Sequence, residues 1–309
     1  MKREDLYFDS RDGKSKIHAV RWEPDDTSNV VAVLQIVHGM AEHVDRYEEF
    51  AKFLTDRNFV VTADDHLGHG KTCENAIPGY FCKNDPATTV VKDVHRLKKI
   101  TQEKYPRIPY YILGHSMGSF ILRNYLFQYG KGISGAIIMG TGMVPASMAR
   151  LSYVMASLGC IFGKSQKPST TLDKIAFGTY LKRIPNPRTP ADWLSKNEAN
   201  VDEYIKDPLC GFVFTCNGFK TLGSLLCRLV KKSNIEKMPV SLRVFIVSGE
   251  EDPVGDYGQG PKKVYKQYID EGMQKVEMKL YPGDRHEILN ELDRATVYED
   301  IYQWIIREV

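Results

Sequence analysis

The chain of 309 residues lacks most features that mark an exported, membrane-spanning or metal-binding protein. Its first residues, MKREDLYFDSRDGK, are charged and have no apolar core of the kind found in a signal peptide. No apolar run approaches the length of a membrane span, so no transmembrane segment is expected. The six cysteines are scattered without the paired spacing of a metal site, and reduced thiols are expected. Together these absences predict a cytoplasmic protein.

The chain also lacks an excess of charge of either sign. Lys and Arg number 42 against 39 Asp and Glu, a net charge of +3 that is too balanced to predict a nucleic acid or an anionic membrane as partner. There are no internal repeats or low-complexity tracts. A chain of this length buries about three quarters of the surface it exposes when unfolded, so it needs no disulfides for stability.

What the sequence does contain is a regular alternation of apolar runs and amphipathic stretches. Residues Leu6–Phe8 and Lys16–Trp22 flank a turn signal and predict an opening hairpin. Buried strands are predicted at Val30–Val37, Phe59–Ala63, Tyr110–Leu113, Ala136–Met139, Leu242–Val247 and Val276–Leu280. Helical patterns lie between most of them. This order predicts an α/β fold with a mostly parallel central sheet and helices on both faces.

The alternation stops between residues 141 and 239, where there is no convincing strand. Helical patterns occur there around Met148–Leu158, Trp193–Tyr204 and Leu222–Val230. We predict a helical cap, residues 141–239, inserted between two parts of the core, residues 1–140 and 240–309. The alternative is that these helices pack directly on the sheet, as one apolar face of the first helix is able to do.

The clearest chemical motif lies between Tyr110 and Tyr129. An apolar run ending at Leu113 is typical of a buried strand, and apolar residues recur at helical spacing from Phe120. Between them lies GHSMG, a G-x-S-x-G sequence centred on Ser116. Strand, G-x-S-x-G and helix in this order predict a nucleophile elbow, a tight turn that exposes the serine hydroxyl. The alternative is an ordinary strand-to-helix loop.

A serine hydroxyl becomes a good nucleophile when a histidine takes its proton and a carboxylate orients that histidine. In folds that carry this elbow, the chain order is serine, acid, histidine. Of the eight histidines, His286 alone follows Ser116, in a loop after the last predicted strand. We therefore expect His286 to be the base. The alternative is a solvated surface histidine.

The acid is expected at the end of a strand that lies between the elbow and His286. Asp252 follows the strand ending at Val247, in the sequence SGEEDPV, and is our assignment. Glu250, Glu251 and Asp256 are competitors, and Asp252 would otherwise cap a turn. The oxyanion hole is expected to combine two backbone N–H groups. One belongs to Met117, after the nucleophile, and the other to Met40, in the loop after the Val30–Val37 strand.

A second cluster of polar residues needs a separate interpretation. Asp64, Asp65, His66 and His69 include ligand types that bind metals, but the two histidines lie on a Gly-rich loop with no helix to orient both imidazoles. A hydrogen-bonded structural loop is expected there, with no metal.

The segments HGMAEHVDRYEEFAKFL, DDHLGHG, GHSMGS, EEDPVG and GDRHEILNE together resemble the monoacylglycerol lipase and lysophospholipase branch of the α/β-hydrolases, which is often grouped with serine aminopeptidases. The resemblance covers the core at both ends of the chain and is weaker in the cap, where SKNEANVDEYIKDPLC is similar. It implies a Ser116–Asp252–His286 triad, oxyanion donors at Met40 and Met117, and a cap that shapes the acyl pocket.

The residues and the resemblance together predict a cofactor-free serine ester hydrolase that acts on monoacylglycerol or lysophospholipid. A thioesterase or an amidase or aminopeptidase would use the same triad. A non-catalytic binding protein would typically have lost a triad residue, and none is missing. The expected partner is a small ester or lipid, with transient contact between the cap and a membrane surface.

Overall fold

The computed structural model describes all 309 residues and is built around an eight-stranded sheet. The strands are β1 (Lys2–Asp9), β2 (Lys16–Glu23), β3 (Ala32–Val37), β4 (Phe59–Asp64), β5 (Tyr110–His115), β6 (Gly135–Met139), β7 (Arg243–Gly249) and β8 (Val276–Tyr281). Their order in the sheet is β1-β2-β4-β3-β5-β6-β7-β8. Strand β2 pairs antiparallel with β1 and β4, and all other pairs are parallel. The predicted hairpin and the mostly parallel sheet are confirmed.

Helices cover both faces of this sheet. They are α1 (Glu48–Thr55), α2 (Pro86–Lys104), α3 (Met117–Tyr129), α4 (Ala146–Gly159), α5 (Thr170–Phe177), α6 (Glu198–Lys206), α7 (Cys216–Leu229), α8 (Lys232–Ile235), α9 (Gln259–Asp270) and α10 (Arg294–Ile306). Successive strand residues alternate between two hydrophobic cores. Ile112 of β5 packs in the core that includes α2, α3 and α9, whereas Leu113 packs in the core that includes α1 and α10. This two-sided burial explains why the central strands are almost wholly apolar.

The segment between β6 and β7 adds five helices and no strand to the sheet. Helix α7 packs on α2 and α3, and α4 packs along α7. The α4–α7 contact is close because Tyr153 lies against Gly223 and small residues of α4 such as Ala156 face inward. Helix α4 therefore packs mainly on α7, whereas the alternative given above was packing directly on the sheet. The division of the chain at residues 141 and 239 stays a prediction.

The predicted helix at Trp193–Tyr204 begins later, at Glu198. The residues before it are irregular because they bond to the loop after β8. Leu194 accepts a hydrogen bond from the Glu287 amide at 2.8 Å, and the Lys196 amide donates to Glu291 at 3.1 Å. These tertiary hydrogen bonds replace the ones that another helical turn would form.

One helical stretch, Ala146–Lys164, has the length and composition to cross a membrane, with a mean hydropathy of 1.2. This stretch does not stand out in the sequence, because Arg150 and several serines interrupt its apolar residues. The helix is broken at Phe162 and Gly163, which have non-helical dihedrals. The part before this break, residues 146–161, is about 24 Å long, shorter than a hydrocarbon core of about 30 Å.

Candidate active site

Ser116 lies at the turn between β5 and α3, as the elbow requires. Its backbone has φ 54° and ψ −121°, a conformation that non-glycine residues rarely adopt. The Ser116 amide donates to the Met139 carbonyl at the end of β6, at 3.0 Å. A β-carbon on Gly118 would overlap the Val37 carbonyl oxygen, and one on Gly114 would overlap the Gly118 carbonyl. Glycine at both positions lets α3 approach the sheet and holds the turn closed.

His286 and Asp252 lie at the same edge of the sheet, in the loops after β8 and β7. The His286 Nδ1 atom is 3.0 Å from Asp252 Oδ2, and both side chains are buried. Asp252 also accepts hydrogen bonds from the Val254 amide at 2.8 Å and the Ser248 hydroxyl at 3.2 Å. An ionised carboxylate only accepts, so the proton lies on Nδ1 and leaves Nε2 as a proton acceptor.

The other acids considered for this role do not reach the histidine. Glu250, Glu251 and Asp256 are all exposed. Asp252 is the one of the four that is buried and contacts His286. The geometry therefore favours Asp252 over its three competitors.

The elbow and the histidine loop contact each other directly. His115, which precedes Ser116, has its ring centroid 4.7 Å from that of His286. A β-carbon on Gly140, after β6, would lie 3.1 Å from His286 Cε1 and 3.2 Å from His115 Cδ2. The carboxyl ends of β5, β6, β7 and β8 thus bring these residues to one place, as parallel strands do in open α/β sheets.

The loop after β3 runs beside Ser116. A β-carbon on Gly39 would lie 3.1 Å from Ser116 Cβ, so the backbone that leads to Met40 passes close to the serine. The next residue, Ala41, has φ 54°, a left-handed conformation that tilts this loop. Met117 is the first residue of α3, so its N–H has no partner within the helix. The backbone of both predicted oxyanion donors thus lies close to Ser116, and their role stays a prediction.

The loop that contains His66 and His69 is hydrogen bonded, as the sequence predicted. The His66 amide donates to His38 Nε2 at 3.1 Å, and His66 Nε2 is 3.2 Å from the His38 carbonyl. The two rings stack with centroids 4.0 Å apart. Burial lowers the pKa of His38 well below its ordinary value, so the ring is neutral. These contacts fix the start of the loop that carries Met40.

One other group has the residue types and spacing to hold a metal ion. His43, Asp207 and Cys210 place one ligand atom each within 4.8 Å of one another. His43 Nε2 and Asp207 Oδ2 are already hydrogen bonded at 2.7 Å, and burial raises the pKa of the Cys210 thiol far above its ordinary value. The histidine and the carboxylate therefore satisfy each other without an ion.

Three aromatic side chains form a wall beside the histidine. The Trp193 ring centroid is 5.2 Å from that of His286, and Tyr180 and Phe177 pack on Trp193 at 5.0 and 6.4 Å. Sequence reasoning missed this wall because it assigned Trp193 to a helix. A usable signal was present, since Trp193 lies between proline-rich and polar sequence, where a buried helix face is not expected.

Comparison with known proteins agrees with this geometry. The model of the family described as serine aminopeptidase, S33, matches residues 28–293. Monoglyceride lipase of Rattus norvegicus is 27% identical over 297 residues, covering 93% of this chain and 86% of the rat protein. Monoacylglycerol lipase of Mycolicibacterium smegmatis is 28% identical over 290 residues, with 92% and 91% covered.

A solved structure is also similar over nearly the whole chain. A highly thermostable carboxyl esterase from Bacillus coagulans, in complex with glycerol, superposes with a TM-score of 0.91 at 34% sequence identity. The alignment covers 99% of this chain and 98% of the esterase. The resemblance to the monoacylglycerol lipase branch is confirmed: the chain belongs to the S33 serine aminopeptidase family of α/β-hydrolases and is a serine hydrolase.

Proposed function

We propose that this chain hydrolyses monoacylglycerols or lysophospholipids at their carboxylic ester, with Ser116, His286 and Asp252 as its catalytic triad. The observation that carries the proposal is the buried Asp252–His286 contact of 3.0 Å beside the strained Ser116 elbow. Strain of this kind persists where the surrounding structure enforces it, and it is concentrated at functional sites.

The reaction follows from the proton positions. His286 Nε2 takes the hydroxyl proton of Ser116 as its oxygen attacks the ester carbonyl, and Asp252 stabilises the resulting imidazolium. The N–H groups of Met40 and Met117 donate to the oxyanion. His286 then gives its proton to the leaving alcohol, which departs and leaves an acyl-serine. Water, deprotonated by His286, attacks this ester and releases the fatty acid. No cofactor takes part.

The substrate class is supported by the relatives and by the wall beside the histidine. The rat and mycobacterial relatives are named for monoacylglycerol, and the Bacillus esterase is in complex with glycerol, which is the alcohol that a monoacylglycerol would release. Trp193 packs beside His286 and so restricts the space around that histidine. A small head group and one acyl tail fit such a covered site better than two or three tails.

Helix α4 supports transient contact with a membrane surface. Met148, Leu151, Val154 and Leu158 recur every three or four residues along it and are about half exposed or more, and Ile161 and Phe162 extend the stripe at 76% and 75% exposure. The part of this helix before the break at Phe162 is too short to span a bilayer, so its apolar stripe suits the interface instead. A lipid ester would enter from that surface. The cytoplasmic location stays a prediction.

A fluorophosphonate probe tests the chemistry, because it labels activated serines. Wild type should be labelled and should hydrolyse a monoacylglycerol, whereas Ser116→Ala should lose both while it keeps its thermal transition. Ser119→Ala is the matched control, since its hydroxyl donates to the Ser116 carbonyl and not to the substrate space. Normal turnover in Ser116→Ala would disprove the nucleophile assignment.

A second candidate reaction is amide hydrolysis, which the family description favours. Ester, thioester and amide substrates with the same acyl group separate the two, and we expect the ester to be cleaved fastest. Among esters, each added methylene should contribute about 0.8 kcal/mol until the pocket is full. Monoacylglycerol should exceed diacylglycerol and triacylglycerol. A flat chain-length series, unaffected by Met155→Asp, would remove the lipid part of the proposal.

A further inference from the structure

A buried cluster of charged side chains lies directly behind the proposed triad. Arg46 holds Glu287, the residue after His286, through Nη1–Oε1 and Nη2–Oε2 contacts of 2.5 and 2.7 Å. Asn200, on helix α6, donates to the same carboxylate at 2.7 Å. Arg46 Nη1 also lies 3.3 Å from Glu42 Oε2. The guanidinium therefore bridges the histidine loop and the loop after β3.

Glu42 connects this cluster to the proposed oxyanion donor. Its Oε1 accepts the Gly39 amide at 2.5 Å and the Tyr47 hydroxyl at 2.9 Å, and it lies 3.1 Å from His115 Nδ1. Gly39 immediately precedes Met40, so the carboxylate fixes the backbone that presents the Met40 N–H. The Glu42 side chain is almost fully buried, with an exposure of 3%.

His115 faces a hydrogen-bond acceptor at each ring nitrogen. Its Nε2 is 3.3 Å from the His286 carbonyl, which only accepts, so Nε2 carries a proton. Its Nδ1 is 3.1 Å from both Glu42 Oε1 and the Tyr47 hydroxyl. Tyr47 has one proton, and its shorter contact is with Glu42. Nδ1 therefore also donates, and the ring is an imidazolium.

Charge balance leads to the same protonation state. The cluster contains two carboxylates, Glu42 and Glu287, but a single guanidinium, Arg46, and an unpaired buried charge is costly. A charged His115 makes the cluster neutral. Burial alone would lower the pKa of His115, but the hydrogen bond and charge of Glu42 outweigh burial and raise it above its ordinary value. Burial would raise the pKa of Glu42, and His115 holds it well below its ordinary value.

We propose that Glu42 and protonated His115 are positioning residues for the reaction. Their ion pair fixes the loop that carries Met40, the elbow that carries Ser116 and the loop that carries His286 in one relative geometry. The inference rests on the proposed function, because it assigns these residues a purpose in that reaction. It adds that loss of the Glu42–His115 ion pair should misplace the reacting groups while substrate still binds.

The test compares Glu42→Gln with Glu48→Gln, an exposed glutamate in the same region. Glutamine keeps an oxygen for the Gly39 amide but removes the charge. Since a misplacement of about 1 Å costs roughly 100-fold in rate, kcat should fall on that order, with KM within about twofold. Glu48→Gln should behave as wild type. Separately, ¹⁵N NMR of imidazole at about pH 8, well above the ordinary histidine pKa of about 6.5, reads the protonation of His115 without substrate.

In the NMR spectrum, the His115 signal is identified by its loss in His115→Asn. A doubly protonated His115 in wild type and a neutral one in Glu42→Gln are expected. A neutral His115 in wild type would overturn the proposal even if Glu42→Gln failed to fold, and so would an unchanged kcat in a folded Glu42→Gln. Absence of any hydrolysis by wild type would instead reject the proposed function, whatever the NMR result.

Discussion

Two regions break the usual rules of burial in opposite directions. One is the catalytic edge, by which we mean the sheet edge that carries the proposed triad, and the other is helix α4 of the predicted cap. At the edge, Asp252, His286, Glu42 and other polar groups are buried, and each has a hydrogen-bond or charge partner. On α4, large apolar side chains are exposed along one stripe and have no partner in the chain. Buried polar groups must be satisfied internally, whereas an exposed apolar stripe indicates a partner outside the chain. The buried polar groups of the first region are satisfied within the chain, whereas the apolar stripe of the second is left uncovered by it.

The largest effect should come from breaking the pairing at the catalytic edge. Asp252→Asn removes the charge that orients His286 and stabilises its protonated form, and we expect kcat to fall by about 10⁴-fold. The measurement is ester hydrolysis at substrate saturation. Asp256→Asn, on an exposed residue of the same loop, is the control and should change little. If the two effects were reversed, Asp256 would be the acid.

The same substitution, glycine to alanine, should lower the stability of the protein by unequal amounts in the two regions. Gly118→Ala places a methyl group against the Val37 carbonyl oxygen, which cannot move, and should lower the free energy of unfolding by about 3 kcal/mol or more. Gly163→Ala at the end of the cap stretch meets no atom within 4 Å and is strained only by its φ of 76°. It should cost about 1 kcal/mol. Urea denaturation measures the unfolding free energy of both variants. Equal losses in the two variants would contradict this prediction.

A third prediction concerns the exposed apolar stripe of α4, which a lipid surface should cover. Wild type should bind anionic or zwitterionic vesicles through the α4 stripe. Leu151→Asp and Phe162→Asp should each weaken binding about tenfold, since each loses the burial of one apolar side chain. Ile269→Asp, an exposed apolar residue on α9, is the control. Cosedimentation with vesicles measures binding, and a short soluble ester should be hydrolysed at an unchanged rate by all three variants.

The smallest effect concerns a buried carboxylate that has only neutral partners. Asp93 accepts hydrogen bonds from the Ser10 hydroxyl at 2.7 Å and the Arg11 amide at 2.6 Å, and burial raises its pKa to about 7. The folded state therefore keeps this proton between about pH 4 and 7, where the unfolded state has lost it, so its contribution to stability falls as pH rises through that window.

Asp93→Asn should remove that pH dependence. Relative to wild type, the variant should gain on the order of 1 kcal/mol in unfolding free energy between about pH 6 and pH 8. Thermal or urea denaturation at both pH values provides the comparison. A constant difference between the two proteins would show that Asp93 does not titrate in this range, and that neutral donors suffice to hold a buried carboxylate ionised.

Much of the catalytic edge could be predicted from sequence because local rules determine it. The strand before Ser116, the glycines around it and the helix after it are adjacent in the chain, and the elbow follows from them. His286 could be assigned because it is the single histidine after the serine. Asp252 could be ranked first by its place after a strand, although its three neighbours were excluded only by their exposure in the structure.

The segment between β6 and β7 could not be predicted to the same depth because its structure depends on distant partners. Periodicity extended a helix back to Trp193, but hydrogen bonds between Leu194 and Glu287 and between Lys196 and Glu291 hold that segment irregular. The spacing of the apolar residues in α4 predicted a helix, but it did not indicate which face of that helix packs on the rest of the chain. Likewise, no local signal joins Glu42 to His115 and Arg46 to Glu287, since these pairs are far apart in sequence.

The position of Trp193 gives the protein a built-in optical reporter. The chain has three tryptophans, and two of them, Trp22 and Trp304, are fully enclosed in the core. Trp193 alone is partly exposed and lies beside His286. A soluble quencher such as acrylamide should therefore reach one emitter selectively, and its access should fall when a ligand occupies the site. Ligand occupancy could then be followed by fluorescence in the unlabelled protein, with Trp193→Phe as the blank.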